Sequence, residues 1–85
     1  MTPGPALADG LELVETDDGI VVYQDERERV HHLNQTAAVI LQWCDGTRSV
    51  EEIAGLVADL FALDHPPVDD TRACVERLRT EGLVR

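Results

Sequence analysis

Three histidines and two cysteines are the side chains of this sequence best suited to chemistry, and their spacing speaks against joint use. His31 and His32 are adjacent in a stretch of strand character, so they project to opposite faces and make an awkward pair of ligands. Neither C-x-x-C nor H-x-x-x-H spacing occurs, and His65 stands before Pro66 as a loop residue. No metal site is expected. Cys44 and Cys74 each fall on a helical period and read as small apolar residues, with no disulfide between them. A nucleophile needs a base within hydrogen-bond reach and a site that excludes water, and neither is apparent. The 17 acidic residues are spread over turns and helix faces, as on a solvated surface. The chain is therefore expected to be no enzyme and to carry no cofactor.

The formal charge of −10 is the next constraint, because a nucleic-acid binder must offset phosphate repulsion with a basic surface. All seven cations are arginine. Arg72, Arg77, Arg79 and Arg85 fall near the end of the chain, where they could make one locally basic face. That asymmetry points to a small anionic or acidic-peptide partner rather than to nucleic acid. No apolar run approaches the roughly 20 residues of a membrane span, and no basic segment precedes a hydrophobic stretch. A cytoplasmic protein with no membrane partner is the reading.

The elements that must position these residues are legible from periodicity. Eighty-five residues support one core. Pro3, Gly4 and Pro5 interrupt regular structure, so residues 1–8 are expected to be a flexible tail and residues 9–85 the domain. Leu11-Glu12-Leu13 alternates, Asp17-Asp18-Gly19 supplies a hairpin turn, and Ile20-Val21-Val22-Tyr23 suits a strand that could be covered on both faces. Asp25-Glu26-Arg27-Glu28 makes a second turn before Arg29-Val30-His31-His32-Leu33. From Asn34 the period becomes helical: Asn34 or Thr36 can cap a helix carrying Ala37, Ile40, Leu41 and Cys44, closed by Asp45-Gly46, with Trp43 as a core-edge anchor. Ser49 and Glu52 form a capping box for a second helix with the stripe Ile53, Leu56, Val57, Leu60 and Phe61, stopped by Pro66-Pro67. A third helix starts near Val68 with Asp69 and Asp70 in its first turn. Its apolar seam of Thr71, Val75 and Leu78 is narrow, which leaves much of its surface for something else. The fold class is α+β and winged-helix-like: a three-stranded antiparallel β-meander followed by three α-helices.

Leu33-Asn34, Thr36-Ala37-Ala38 with Ile40, and Asp45-Gly46-Thr47-Arg48-Ser49-Val50 with Glu52-Ile53 resemble the "LN-x-TAA-x-I … DGT-x-(S/T)V-x-EI" signature of the PqqD-like family, the RiPP recognition elements. Val75, Leu78 and Gly82-Leu83 resemble that family's ending, with an arginine at one apolar position of the run. The resemblance covers roughly residues 11 to 85. It implies a non-catalytic, chaperone-like role in which the leader of a ribosomally synthesised precursor peptide binds as an added strand against the third strand, beside the third helix. It also implies a partner enzyme, such as a leader protease, a cyclase or a radical enzyme, in a lasso-peptide, pyrroloquinoline quinone or other RiPP pathway.

A meander leaves its last strand with an unpaired edge that a peptide can satisfy. Arg29, Val30, His31, His32 and Leu33 are the expected strand wall of the site. Thr71, Cys74, Val75 and Leu78 are the expected helix wall, with Arg72 and Arg79, seven apart, at its rim. The competing reading is a DNA-binding winged-helix regulator with the third helix as recognition helix. Against it stand the net charge and the acidic hairpin of Asp25, Glu26 and Glu28.

Overall fold

A computed structural model of the chain describes residues 4–24 and 28–85, so the expected turn at Asp25, Glu26 and Arg27 lies outside the described residues. Strands β1 (Leu11–Thr16), β2 (Gly19–Gln24) and β3 (Arg29–Asn34) form one antiparallel sheet in the order β1-β2-β3. Alternation assigns the faces. Ile20, Val22 and Gln24 are buried and sit opposite Leu33, His31 and Arg29, while Tyr23 and Val30 pair on the outer face and remain exposed. The expected double covering of β2 is thus confined to one face, because no helix crosses the other. Gly19 matters for a different reason than turn geometry: a Cβ there would stand 1.9 Å from the Leu33 carbonyl oxygen, so β3 can approach only a glycine.

Helix α1 (Gln35–Trp43) is capped by Asn34, whose side chain accepts from the Ala37 N–H at 2.9 Å. Helix α2 (Val50–Leu60) begins with both halves of the Ser49 and Glu52 capping box in place. It ends at Ala62, held in the left-handed region at φ 54, so that the Leu63 N–H can donate back to the Ala58 carbonyl. Helix α3 (Val68–Thr80) starts after the proline pair with Asp69 and Asp70 in its first turn. It ends at Gly82, also left-handed, and Leu83 and Val84 return to the core. No helix among the described residues is long and apolar enough to cross a membrane.

α1 occupies the centre, packing on β2 and β3 from one side and on α2 and α3 from the other. Ala37, Ala38, Ile40 and Leu41 are buried, Cys44 follows at its end, and Trp43 packs half-buried against the same cluster. Two expectations change. In α2 the buried stripe runs through Ile53, Ala54, Val57 and Ala58, and Leu60 is 55% exposed, because the two alanines let the helices approach while Leu60 lies past the contact. Of the expected tail, residues 1–3 lie outside the described residues, and residues 4–8 make backbone hydrogen bonds with the rest of the domain. Gly4 and Leu7 donate to the Gly46 and Cys44 carbonyls, Ala8 donates to Leu83, and Arg85 donates to Ala6. Isolated backbone bridges of this kind leave no periodic trace in sequence.

The glycines provide a test of opposite signs. Gly19→Ala should destabilise the domain by about 1 to 3 kcal/mol through the clash with β3. Gly55→Ala, where a Cβ meets nothing within 4 Å inside α2, should stabilise it by about 0.5 to 1 kcal/mol. Urea midpoints of the two variants would show the shifts.

Candidate peptide-binding site

Because α1 holds the sheet away from the other helices, β3 and α3 face one another across a cleft of about 790 Å³. His32 and Asn34 at the end of β3 and Thr36 at the start of α1 form one wall. Asp70, Ala73, Cys74 and Arg77 form the other, and their spacing of three and four places them on one side of α3. Ile40, Val57 and Leu78 make an apolar floor, and Phe61, Leu63 and Pro67 close the end nearest the α2–α3 turn. The left-handed Ala62 and the prolines after it aim those last three residues at the cleft.

β3 pairs with β2 alone among the described residues, so its second edge is open toward this space. Val30 is 50% exposed on that strand. At the opposite end a polar buckle ties sheet to helix: Gln24 Nε2 donates to the Glu81 carbonyl at 3.3 Å, and its Oε1 accepts from His31 Nε2 at 2.7 Å. The His31 ring also lies 3.5 Å from the Glu81 carboxylate.

The expected site residues divide accordingly. His32, Thr71, Cys74 and Leu78 line the cleft, Thr71 and Leu78 from its almost fully buried floor. Val75 and Leu33 are committed to the core, and His31 is turned inward to Gln24. Arg29 and Val30 are exposed on β3 but do not line the cavity. Arg72 and Arg79 do share a face, and that face does not line the cleft. At about 100° per residue it lies roughly opposite the side bearing Asp70, Cys74 and Arg77, across the buried seam of Thr71, Val75 and Leu78. Arg72 is engaged by Glu51 at 2.8 Å and Arg79 by Glu76 at 2.6 Å. Arg77 is the arginine that faces the cleft, and the helical period counted outward from the buried seam offers both flanks without choosing between them. Phe61 and Leu63 were missed because their direction depends on a left-handed alanine that no sequence rule marks.

Burial pushes the Cys44 thiol up to about 11, with Cys74 and Asp45 adding to the shift, and Cys44 Sγ donates to the Ile40 carbonyl at 3.1 Å. Burial also raises the half-buried Cys74 thiol. Hydrogen bonds from Thr47 hold the Asp45 carboxyl below its usual value, which steadies the turn into α2. Neither thiol is a ready nucleophile at neutral pH. Among the described residues no three histidine, cysteine, aspartate or glutamate side chains gather as a metal site.

The family model for coenzyme PQQ synthesis protein D (PqqD) matches residues 19–84, which spans β2 to the chain's final turn. The chain belongs to the PqqD family. Two solved structures share its fold. TbiB1 in complex with the TbiA(beta) leader peptide is 20% identical, with 94% of each chain covered and a TM-score of 0.79. Lasso peptide synthetase B1 complexed with the leader peptide is 24% identical over 95% of this chain and 96% of that one, with a TM-score of 0.73. No curated protein matches the sequence. In this PqqD-family chain the meander and three helices are thus the arrangement found in both solved relatives.

The thiols make the cleft measurable. Iodoacetamide at pH 8 should leave Cys44 of the folded chain unmodified, since a raised thiol value keeps the thiolate a minor species, and should modify Cys74 slowly. Both should react fully in denaturant. Mass spectrometry of the alkylated protein reads the difference, and rapid native labelling of Cys44 would contradict the burial described above.

Proposed function

We propose that this chain is a non-catalytic recognition element that binds the leader of a ribosomally made precursor peptide and delivers it to a modifying or processing enzyme. The observation that carries the reading is the open edge of β3 running along a cleft whose far wall is α3. Membership of the PqqD family supports it, and so do the leader peptides carried by both relatives of the same fold. The lasso peptide synthetase B1 among them also favours a lasso-peptide pathway. Ribosomal synthesis of the precursor makes the cytoplasm the place of action.

In this mechanism the leader adds as a fourth strand. Backbone N–H and C=O groups of β3 are satisfied by the peptide, and apolar side chains of the leader enter the floor between Ile40, Val57 and Phe61. The Thr71 hydroxyl is buried beneath that floor with no hydrogen-bond partner among the described residues. Apolar anchors dominate the affinity, because exposed ion pairs contribute only about 0 to 1 kcal/mol each. Catalysis belongs to the partner. The chain's contribution is to raise the local concentration of the peptide at that enzyme. The DNA-binding reading draws no support from α3, where Arg72 and Arg79 are engaged by Glu51 and Glu76, in a chain of net charge −10.

The test is a backbone N-methyl scan of a leader peptide selected for binding to this chain, followed by fluorescence anisotropy. An added strand bonds β3 through every second residue, so methylation should weaken binding by about tenfold or more with a period of two. The reversals Arg72→Glu and Arg79→Glu should change affinity less than about twofold, since both face away from the cleft. A scan without that period, in a leader that still binds, would rule out strand addition.

A further inference from the structure

The cationic side chains of α3 are not equally free. Arg72 meets Glu51 at 2.8 Å and Asp69 at 3.9 Å, and Arg79 meets Glu76 at 2.6 Å. Arg77 has only a long contact to Glu81, 3.9 Å from its Nε, and its side chain is 73% exposed. Asp70, on the same side of the helix, is exposed and makes no ion pair among the described residues. Asp69 already places a carboxylate in the first turn, so the helix dipole does not by itself require Asp70. Two uncommitted charges of opposite sign therefore stand on the cleft wall, seven residues and about 10 Å apart along the axis.

Their order along the site follows from the fold. The C-terminal end of α3 is held beside His31 and Gln24 through Glu81, whereas its first turn shares the cleft with Asn34 and Thr36, at the other end of β3. α3 thus runs opposite to β3. A peptide added antiparallel to β3, the arrangement that continues this sheet, enters at Asn34 beside Asp70 and proceeds toward Arg77. At about 3.3 Å per residue the interval between the two charges falls between two and four residues of a strand, the even spacings that leave both side chains on the same face.

We propose that Asp70 and Arg77 together set the direction and register of the bound peptide, selecting a basic residue followed two or four positions later by an acidic one, the spacings that keep both side chains on one face of the added strand. The proposal rests on the strand-addition reading and adds to it a charge order that the ligand must carry. A peptide inserted in the reverse direction would place its acidic residue against Asp70 and its basic residue against Arg77, and both contacts would be repulsive. The acidic surface of the rest of the chain makes Arg77 the local exception that an acidic side chain can reach.

The experiment is a selection of random ten-residue peptides by messenger-RNA display against the full chain, in parallel with the double variant Asp70→Arg and Arg77→Asp. The native chain should enrich basic-then-acidic peptides over the reverse order by about two- to fivefold for each pair, and the double variant should enrich the reverse order. The preference should shrink at high salt. Equal recovery of both orders by the native chain, or the same order from both proteins, would overturn the charge register while leaving strand addition intact. Failure of both proteins to enrich any peptide above a protein-free control would overturn the strand-addition reading and this proposal with it. Should the double variant fail to fold by circular dichroism, Arg77→Gln supplies the test: it should lose the acidic preference and keep the basic one, and retention of both would refute the assignment.

Discussion

The packing of α1 between the sheet and the α2–α3 pair is the constraint from which the site follows. A nine-residue helix serves as the common core of the sheet and of the α2–α3 pair, with Leu41 fully buried and Ala37, Ala38 and Ile40 beside it. In so small a domain the residues of every other element that reach the interior, among them Val22, Ile53, Val75 and Leu83, gather around this one helix. Its thickness keeps β3 and α3 from touching, so a strand edge and a helix face are left opposed across open space. A larger side chain at Ala37 would begin to fill that space from below, and the small residue there belongs to the cleft as much as to the core.

Local chemistry then fixes the rims. Asn34 is at once the last residue of β3, the cap of α1 and part of the cleft wall, so the strand's direction and the helix's start are one constraint. The end of α2 is set by a left-handed alanine, a strained choice for any residue with a Cβ, and it turns Phe61 and Leu63 toward the opening. The Gln24, His31 and Glu81 buckle closes the other end by joining the sheet to the last turn of α3. Each device is local in sequence or polar in character. Together they hold the walls apart and parallel without filling the gap.

Charge is distributed with the same economy. The chain is strongly acidic, yet its α3 arginines cluster, and most of them are neutralised by neighbouring carboxylates. Such pairs contribute little to stability when exposed, but they remove cations from the surface that faces solvent. On α3, two charges without a close partner among the described residues, Asp70 and Arg77, lie in the cleft. The raised thiols of Cys44 and Cys74 agree with that division, since groups kept in their neutral form by burial serve packing rather than reaction.

Periodicity and capping, read from the sequence alone, determined the order and type of all six elements: alternation marked the strands, Asn34 and the Ser49–Glu52 box marked two helix starts, and Gly82 marked the last helix end. These signals are legible because each is carried by residues a few positions apart. The resemblance in the Asn34–Ile53 stretch carried the family, since turns and caps demand particular residue types. Only the tertiary structure decided which flank of α3 faces the cleft, and so exchanged Arg72 and Arg79 for Asp70 and Arg77. A helical wheel shows which residues share a side, but not which side the neighbouring strand lies on. It also decided that residues 4–8 are pinned and that Leu60 is not, because backbone bridges and the limits of helix contact depend on partners dozens of residues away, about which a periodic pattern is silent.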